Sequence, residues 1–218
     1  MITICKNYPP LSLKKFVPTT KVHGYNKNEP FYDEKVKSEL QNSLLHEQGH
    51  YCAYCMANIQ KENMRIEHIK PRKHFRILTY KYDNLLAVCN SPARRPKESH
   101  CDISKGNNML NAIDKIIWTD IETFIYYKPD GRIGGFRPDV EEDIVKTDLL
   151  NLNGSHNLIN NREEVFKIYS KEIYKLKKQG ISDKDLRYKI KKIRKELLRD
   201  ADQPYVGVAL YTLKVNLP

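Results

Sequence analysis

Four cysteines, Cys52, Cys55, Cys89 and Cys101, constrain the fold of this chain more than any other feature. The first two form a Cys-x-x-Cys turn, CAYC, and eleven residues separate the second two. A tight turn can present two thiolates to one ion, and two cysteines from a distant loop complete a tetrahedron of soft ligands that suits Zn²⁺. The pattern therefore predicts a structural zinc site made by these four side chains.

Two other interpretations of the cysteines stay open: buried free thiols, and a redox Cys-x-x-Cys pair. The redox interpretation requires a thioredoxin-like βαβ context, which the surrounding sequence does not show. The chain has five cysteines, an odd number, so complete intramolecular disulfide pairing is impossible. In a reducing compartment, clustered cysteines indicate metal binding or catalysis more often than cross-links. Cys5 is left over, and we interpret it as an ordinary thiol.

The segment around these cysteines, residues 50–106, is rich in Cys, His and Arg and has few long periodic runs. Such a polar segment buries little apolar surface, so a bound metal would supply folding energy there. We therefore expect a rigid platform that holds the residues lying between the cysteines.

The charge balance favours a polyanionic partner. Thirty-eight Lys and Arg against 27 Asp and Glu leave a net charge of +11. Nucleic acid fits this excess best, ahead of an anionic membrane surface. The basic residues concentrate beside the cysteines and in residues 162–199, where a solvated helix face or an acidic protein partner are the alternatives.

The chain also lacks membrane and export signals in its sequence. No apolar run approaches the roughly 20 residues that a bilayer-spanning helix needs. The first residues, MITICKNYPPLSLKKF, include no apolar stretch long enough for a secretory signal. We expect a cytoplasmic protein without a membrane partner.

Hydrophobic periodicity predicts an α+β fold that is mostly helical, with a small zinc-stabilised module inside a helical scaffold. We predict helices over residues 31–47, 109–118, 138–153, 160–180 and 182–200, a strand over 63–71, and a β-hairpin over 122–136. The periodicity of residues 203–217 does not decide between helix and strand. The predicted parts are an N-terminal arm and helix (1–49), the Cys/His module (50–106), and a mainly helical C-terminal region with the hairpin (107–218).

Four short stretches of the module, CAYC, EHIKP, NLLAVC and HCDISK, occur in the order seen in the HNH endonucleases that carry a zinc-binding cysteine frame. Residues 50–106 resemble that family, which implies a ββα-metal fold. The layout of the whole chain resembles the PtuB-type HNH proteins of bacterial Septu and retron anti-phage systems. That resemblance implies a nuclease that acts beside an ATPase partner protein.

The resemblance assigns a role to each matching residue of the module. His68 falls on the position of the general base, and Glu67 on the acidic position before it. Asn84 falls on the middle asparagine of the catalytic set, which braces the loop. Asp102 replaces the final histidine, a ligand of the catalytic metal, and leaves the part played by His100 open.

The same resemblance implies two kinds of metal and a nucleic-acid surface. Asp102 and Glu67 offer carboxylate oxygens, which suit a catalytic Mg²⁺ or Mn²⁺, whereas the four cysteines would hold the structural Zn²⁺. Six basic residues beside the site are expected to contact nucleic acid: Lys70, Arg72, Lys73, Arg94, Arg95 and Lys105.

The preferred hypothesis is a metal-dependent HNH endonuclease that hydrolyses phosphodiester bonds, with DNA favoured over RNA. One alternative is a zinc module that binds nucleic acid or protein without catalysis. Another is a zinc hydrolase that uses His68 and His100.

Overall fold

The computed structural model describes residues 1–16, 34–90, 96–199 and 203–217. In these ranges the fold is α+β and mostly helical, which confirms the predicted class. The helices are α1 (Leu11–Lys15), α2 (Glu34–Glu47), α3 (Cys101–Lys105), α4 (Ile113–Ile116), α5 (Ile121–Phe124), α6 (Pro138–Val145), α7 (His156–Lys178), α8 (Asp183–Arg199) and α9 (Val206–Val215). The strands are β1 (Met64–His68), β2 (Leu85–Cys89), β3 (Ile125–Tyr127) and β4 (Ile133–Gly135).

Strands β1 and β2 form an antiparallel pair, and the short helix α3 packs on β2. The register places Met64 opposite Cys89 and His68 opposite Leu85. Every residue of β2 is buried, as expected for a strand covered on both faces. The side-chain amide of Gln48, just after α2, fixes the middle of β2 by exchanging two hydrogen bonds of 2.8 Å with the backbone of Ala87.

The predicted hairpin of residues 122–136 is confirmed as β3 and β4, which pair antiparallel. Gly131 has a φ of +80° in the turn, where an L side chain would be strained. A Cβ at this position would also lie 2.0 Å from the backbone oxygen of Ile159 in α7. Helix α6 begins at Pro138, the first-turn position that proline favours.

Helices α7, α8 and α9 pack together in the C-terminal part, and α9 contacts β3. Helix α7 begins at His156, four residues before the predicted start. Helix α8 buries Leu186, Ile190 and Leu197 on one face. Ser182 caps it as predicted, because its hydroxyl accepts a hydrogen bond from the backbone N–H of Asp185 at 3.2 Å. Nowhere in the described ranges is a helix both long enough and apolar enough to cross a bilayer.

Some predicted elements differ from the structure or extend beyond it. The helix expected over residues 138–153 ends at Val145. The helix expected over residues 109–118 is reduced to α4. The buried carboxylate of Asp143 accepts hydrogen bonds from the backbone N–H groups of Asn111, Ala112 and Ile113, so the residues before α4 form a loop. The undecided segment 203–217 contains the buried helix α9. The helix expected over 31–47 is described from Glu34 onward, and residues 31–33 lie outside the described ranges.

A buried ion pair joins the N-terminal segment to the Cys/His module of residues 50–106. The Lys6 ammonium lies 2.5 Å from a carboxylate oxygen of Glu47, at the end of α2, and donates to the backbone oxygen of Leu85 at 2.6 Å. The Tyr82 hydroxyl donates to the second oxygen of Glu47 at 2.8 Å, and the Lys6 ammonium lies 4.3 Å from the centre of the Tyr82 ring. This network fixes the chain just before β2.

Candidate metal centre and active site

The four cysteine sulfurs form one buried cluster. Cys52 and Cys101 have their sulfurs 3.8 Å apart, Cys55 and Cys89 have theirs 3.7 Å apart, and all four lie within 4.8 Å of one another. Four sulfurs at about 2.3 Å from a tetrahedral zinc ion are separated by about 3.8 Å. A disulfide would require about 2.05 Å, and all four thiols are free. The cluster therefore has the size and the donor set of a structural zinc site.

Three separate pieces of the chain bring these sulfurs together. The Cys-x-x-Cys turn is held against β2 because the backbone N–H of Ala53 donates to the oxygen of Ala87 at 3.0 Å. Cys89 is the last residue of β2, directly opposite the start of β1. Cys101 opens α3 with a φ of +57°, a conformation that costs energy for a residue with a Cβ, and its N–H donates to the oxygen of Leu150 at 2.9 Å.

The thiols are electrostatically coupled. Burial opposes ionisation of Cys52, but hydrogen bonds from the other three sulfurs outweigh it and hold the pKa of the Cys52 thiol well below its ordinary value. Burial raises the pKa of Cys101 well above its ordinary value. Because cysteine binds a metal as the thiolate, metal binding to this cluster would release protons.

His100 lies against the cysteine cluster. Its Nδ1 is 3.2 Å from the Cys101 sulfur and 3.9 Å from the Cys89 sulfur, and burial lowers the pKa of its imidazole. Among the described residues, the only group of three or more metal-binding side chains within 4.8 Å is the cysteine cluster itself. His68 and His100 are not brought together in any such group within the described ranges, so this geometry gives the zinc-hydrolase alternative no support.

A second charged arrangement connects β1 to α3 through two ion pairs. Arg65 Nε lies 2.8 Å from Asp102 Oδ2, and Lys105 Nζ lies 2.9 Å from Glu67 Oε1. Residues two apart on a strand share a face, as do residues three apart on a helix, so the two pairs form side by side. The Arg65–Asp102 pair is partly exposed, whereas the side chains of Glu67 and Lys105 are 3% and 0% exposed.

The Asp102 carboxylate contributes to the electrostatic environment of Glu67. Burial, followed by the nearby Asp102 carboxylate, raises the pKa of Glu67 well above its usual range, while the Lys105 ammonium opposes that shift. The Tyr54 hydroxyl also donates to Glu67 at 3.2 Å. Two neighbouring carboxylates also attract a divalent cation, and Mg²⁺ is often held by one or two carboxylates with water and phosphate oxygens. The donor set therefore fits a hard divalent ion.

His68 ends β1, immediately after Glu67, and its side chain is buried. Burial lowers the pKa of His68 to about 4; the nearby Arg72 and Lys105 lower it further, while Thr79 and Asp102 oppose the shift. The imidazole is therefore neutral at neutral pH. Its Nε2 lies 3.0 Å from the backbone oxygen of Thr79. When Nε2–H donates to that oxygen, Nδ1 is the basic nitrogen of the ring.

Asn84 braces the loop that follows His68. Its side-chain oxygen accepts from the backbone N–H of Lys70 at 2.9 Å, and its amide donates to the backbone oxygens of Lys70 and Leu78 at 3.0 and 3.3 Å. The side chain is buried, and these bonds all go to backbone atoms. The geometry gives Asn84 a positioning role rather than a direct chemical one.

The basic residues expected to contact nucleic acid fall into three groups. Lys70, Arg72 and Lys73 lie on the loop after β1, where Lys73 is exposed and the other two are half-buried. Lys105 is 1% exposed and paired with Glu67, so the expectation that it contacts phosphate is wrong for this structure: the helix position that aligns it with Glu67 also removes it from solvent. The predicted contacts Arg94 and Arg95 lie outside the described residues.

Residues 52–91 match the HNH endonuclease family model. This HNH segment includes the Cys-x-x-Cys turn, β1 with Glu67 and His68, Asn84 and Cys89. It ends before Cys101 and Asp102, which the fold brings back to it through α3. A search of curated proteins found no match for the chain.

Sequence reasoning missed three contributors to the site: Arg65, Tyr54 and the backbone oxygen of Thr79. The charge pattern Arg-x-Glu on β1 and Asp-x-x-Lys on α3 contained the signal for Arg65, since each spacing places its two charges on one face. The Tyr54 contact and the Thr79 oxygen depend on how the loop folds back, which no local spacing indicates.

Proposed function

We propose that this protein is a metal-dependent HNH endonuclease that hydrolyses phosphodiester bonds of nucleic acid, with DNA as the favoured substrate. The observation that carries the proposal is the arrangement of His68 at the end of β1, beside the Glu67 and Asp102 carboxylates, within a segment that matches the HNH endonuclease family.

His68 is the general base of the proposed reaction. Its imidazole is neutral and can take a proton from the attacking water. The hydrogen bond to the Thr79 oxygen fixes the ring, and the Asn84 bonds fix the loop that carries Thr79. A bound phosphate would place negative charge near the ring and raise its pKa toward neutrality, which improves it as a base.

Glu67 and Asp102 are the proposed ligands of Mg²⁺ or Mn²⁺. A bound divalent ion supplies a positive charge that stabilises the charge developing on the phosphate. Without the ion, Lys105 and Arg65 balance the two carboxylates, which keeps the site folded. The four cysteines are the proposed ligands of a separate structural Zn²⁺ with full coordination, which therefore cannot serve the reaction.

Lys70, Arg72 and Lys73, on the loop beside His68, are proposed to contact the phosphates of the bound strand, together with Arg94 and Arg95. Contacts of this kind fix position on the strand without reading its sequence. Lys105 is not part of this proposal, because it lies in the buried ion pair.

The biological role that we propose is the nuclease component of an anti-phage defence system in the cytoplasm, acting beside an ATPase partner protein. The order of the cysteine, EHIKP and HCDISK motifs and the helical C-terminal region support it through their resemblance to the PtuB-type proteins. A nuclease of this kind would endanger its host when free, so restraint by a partner is expected.

Plasmid nicking tests the enzymatic part of the proposal. The purified chain should contain about one zinc per molecule and should nick supercoiled plasmid when Mg²⁺ or Mn²⁺ is added. His68→Ala should lower cleavage by about 10²- to 10⁴-fold, the usual contribution of a general base, without loss of zinc. His74→Ala is the matched control, because His74 is an exposed histidine on the loop that follows His68 and should have little effect.

The partner must be included before a negative result counts. If the wild-type chain fails to nick plasmid DNA or cleave RNA with Mg²⁺ or Mn²⁺, both alone and with the candidate ATPase, the chain is a zinc-binding module without catalysis. Equal cleavage by His68→Ala and wild type would remove His68 from the mechanism.

A further inference from the structure

A dense run of basic residues lies in α7 and α8, outside the HNH segment of residues 52–91. Residues 171–199, the end of α7 and all of α8, hold twelve Lys and Arg but four Asp and Glu, which gives +8 of the total charge of +11. Ten of the twelve basic side chains are exposed. Within the described ranges, none of the twelve lies within ion-pair distance of a carboxylate.

The charge on α8 is arranged as a stripe. Leu186, Ile190 and Leu197 face the core. The opposite face presents exposed side chains that recur at helical spacing, and we call this set the α8 stripe: Lys184, Tyr188, Lys191, Lys192 and Lys195. From Lys184 to Lys195 the stripe is about 16 Å long, so its row of ammonium groups is about as long as five phosphates of one DNA strand.

Two exposed tyrosines lie in this basic surface. Tyr188 is 71% exposed within the α8 stripe, and Tyr174 is 59% exposed near the end of α7, with the Lys178 ammonium 5.0 Å from the centre of its ring. An exposed aromatic ring among lysines can stack on an unpaired base while the ammonium groups bind the backbone. An acidic protein partner would use the lysines but would not require the rings.

We propose that the α8 stripe is a second nucleic-acid-binding surface, which holds the phosphate backbone of the substrate outside the HNH segment. This inference rests on the proposed nuclease function and deepens it. The C-terminal end of α8 and the Cys-x-x-Cys turn line the same cavity of about 290 Å³. Leu197 and Leu198 of α8 and Cys52 and Ala53 of the turn form part of its wall. The helix that carries the stripe therefore has its C-terminal end beside the Cys-x-x-Cys turn.

Salt-dependent binding tests the proposal without any cleavage. We would measure binding of a fluorescein-labelled 30-base-pair DNA duplex to zinc-loaded protein carrying His68→Ala, between 50 and 300 mM NaCl. Replacing Lys184, Lys191, Lys192 and Lys195 with Gln removes four charges and keeps helix propensity. Each lost phosphate contact lowers the slope of log affinity against log salt by about 0.9, so the slope should fall by about 3 to 4.

A matched variant controls for net charge. Lys15, Lys35, Lys115 and Lys128 are exposed lysines elsewhere on the protein, and replacing them with Gln removes the same four charges. This control should change the slope by less than about 1. An unchanged slope in the stripe variant, or equal changes in the two variants, would overturn the proposal and leave the stripe to a protein partner.

A single-stranded DNA probe tests the aromatic contribution. Tyr188→Ala should weaken binding of a 30-nucleotide strand by roughly tenfold, and Tyr188→Phe should retain it, since stacking needs the ring and not the hydroxyl. Equal loss in both variants would contradict stacking. Plasmid nicking by the chain without His68→Ala is measured separately, so failure of the enzymatic proposal and failure of the stripe proposal give different results.

Discussion

Replacing Lys105 tests how much the buried ion pair between Lys105 and Glu67 stabilises the folded protein. Its ammonium lies 2.9 Å from Glu67, and both side chains are almost fully buried. At an effective dielectric constant of about 20, two unit charges at this separation attract by about 6 kcal/mol before their lost hydration is counted. Removing one partner of a buried pair leaves the other charge uncompensated, which costs about 3–5 kcal/mol. We therefore expect Lys105→Met to lower the free energy of unfolding by that amount.

The assay is thermal and denaturant unfolding of the zinc-loaded protein without Mg²⁺, for Lys105→Met, Glu67→Gln and the double variant. Lys105→Met should lower Tm by about 10 °C, since about 1 kcal/mol corresponds to roughly 2–4 °C for a chain of this size. The double variant should lose less than the sum of the single variants, because neither charge is then left alone. Lys115→Met is the control, because Lys115 is exposed and should have little effect.

Mg²⁺ should change the order of these stabilities. Lys105→Met leaves Glu67 without its buried counterion, so a divalent ion held by Glu67 and Asp102 should raise the Tm of this variant more than it raises that of the wild type. Additive single and double variants, or a Lys105→Met protein as stable as the wild type, would refute the reasoning. Such a result would mean that Glu67 is protonated in the folded protein, as its raised pKa allows.

Three further predictions follow from the site. Removing zinc with a strong chelator should unfold the HNH segment, because binding of a structural zinc contributes about 10–16 kcal/mol of folding free energy. Slow hydrogen exchange in β1 and β2 of the metal-free protein would contradict this prediction. The low pKa of His68 should make the free energy of unfolding fall as the pH decreases from about 6.5 to about 4, because the unfolded chain binds the proton more readily in this range. The loss should reach about 3 kcal/mol. Urea unfolding measured against pH should show a flatter dependence for His68→Gln than for the wild type. Asn84→Ala removes three hydrogen bonds and should lower the free energy of unfolding by about 2–3 kcal/mol. The variant should nick plasmid more slowly and should show faster hydrogen exchange in the loop of residues 70–78. Unchanged exchange in that loop would rule out the bracing role.

Spacing predicted the parts of the fold that local chemistry determines. The hairpin of β3 and β4 follows from two apolar runs around a Pro-Asp-Gly turn, and the faces of α7 and α8 follow from their apolar periodicity. The cysteine cluster was also predictable, because a Cys-x-x-Cys turn with two further cysteines supplies the four soft ligands that a tetrahedral zinc site needs.

The parts that sequence reasoning could not supply depend on contacts between distant segments. Residues 109–118 have helical periodicity, but the carboxylate of Asp143, some thirty residues later, accepts hydrogen bonds from backbone N–H groups of this segment. Lys105 has the composition of a phosphate contact, but its burial depends on where α3 docks against β1. The apolar segment containing α9 gave no periodic signal because it is buried on nearly all sides.

The chain around the fourth cysteine is anchored by residues far beyond the HNH segment. Besides the bond from the Cys101 N–H to Leu150, the side-chain amide of Asn151 donates to the backbone oxygens of Lys97 and Ser99 at 3.0 and 2.7 Å. A transplanted fragment that stops at Gly106 would carry all four thiols. It would lack Leu150 and Asn151, whose hydrogen bonds position the chain around Cys101. We therefore expect such a graft to bind zinc weakly in a new host protein, and a chimera that extends past Asn151 to retain the metal.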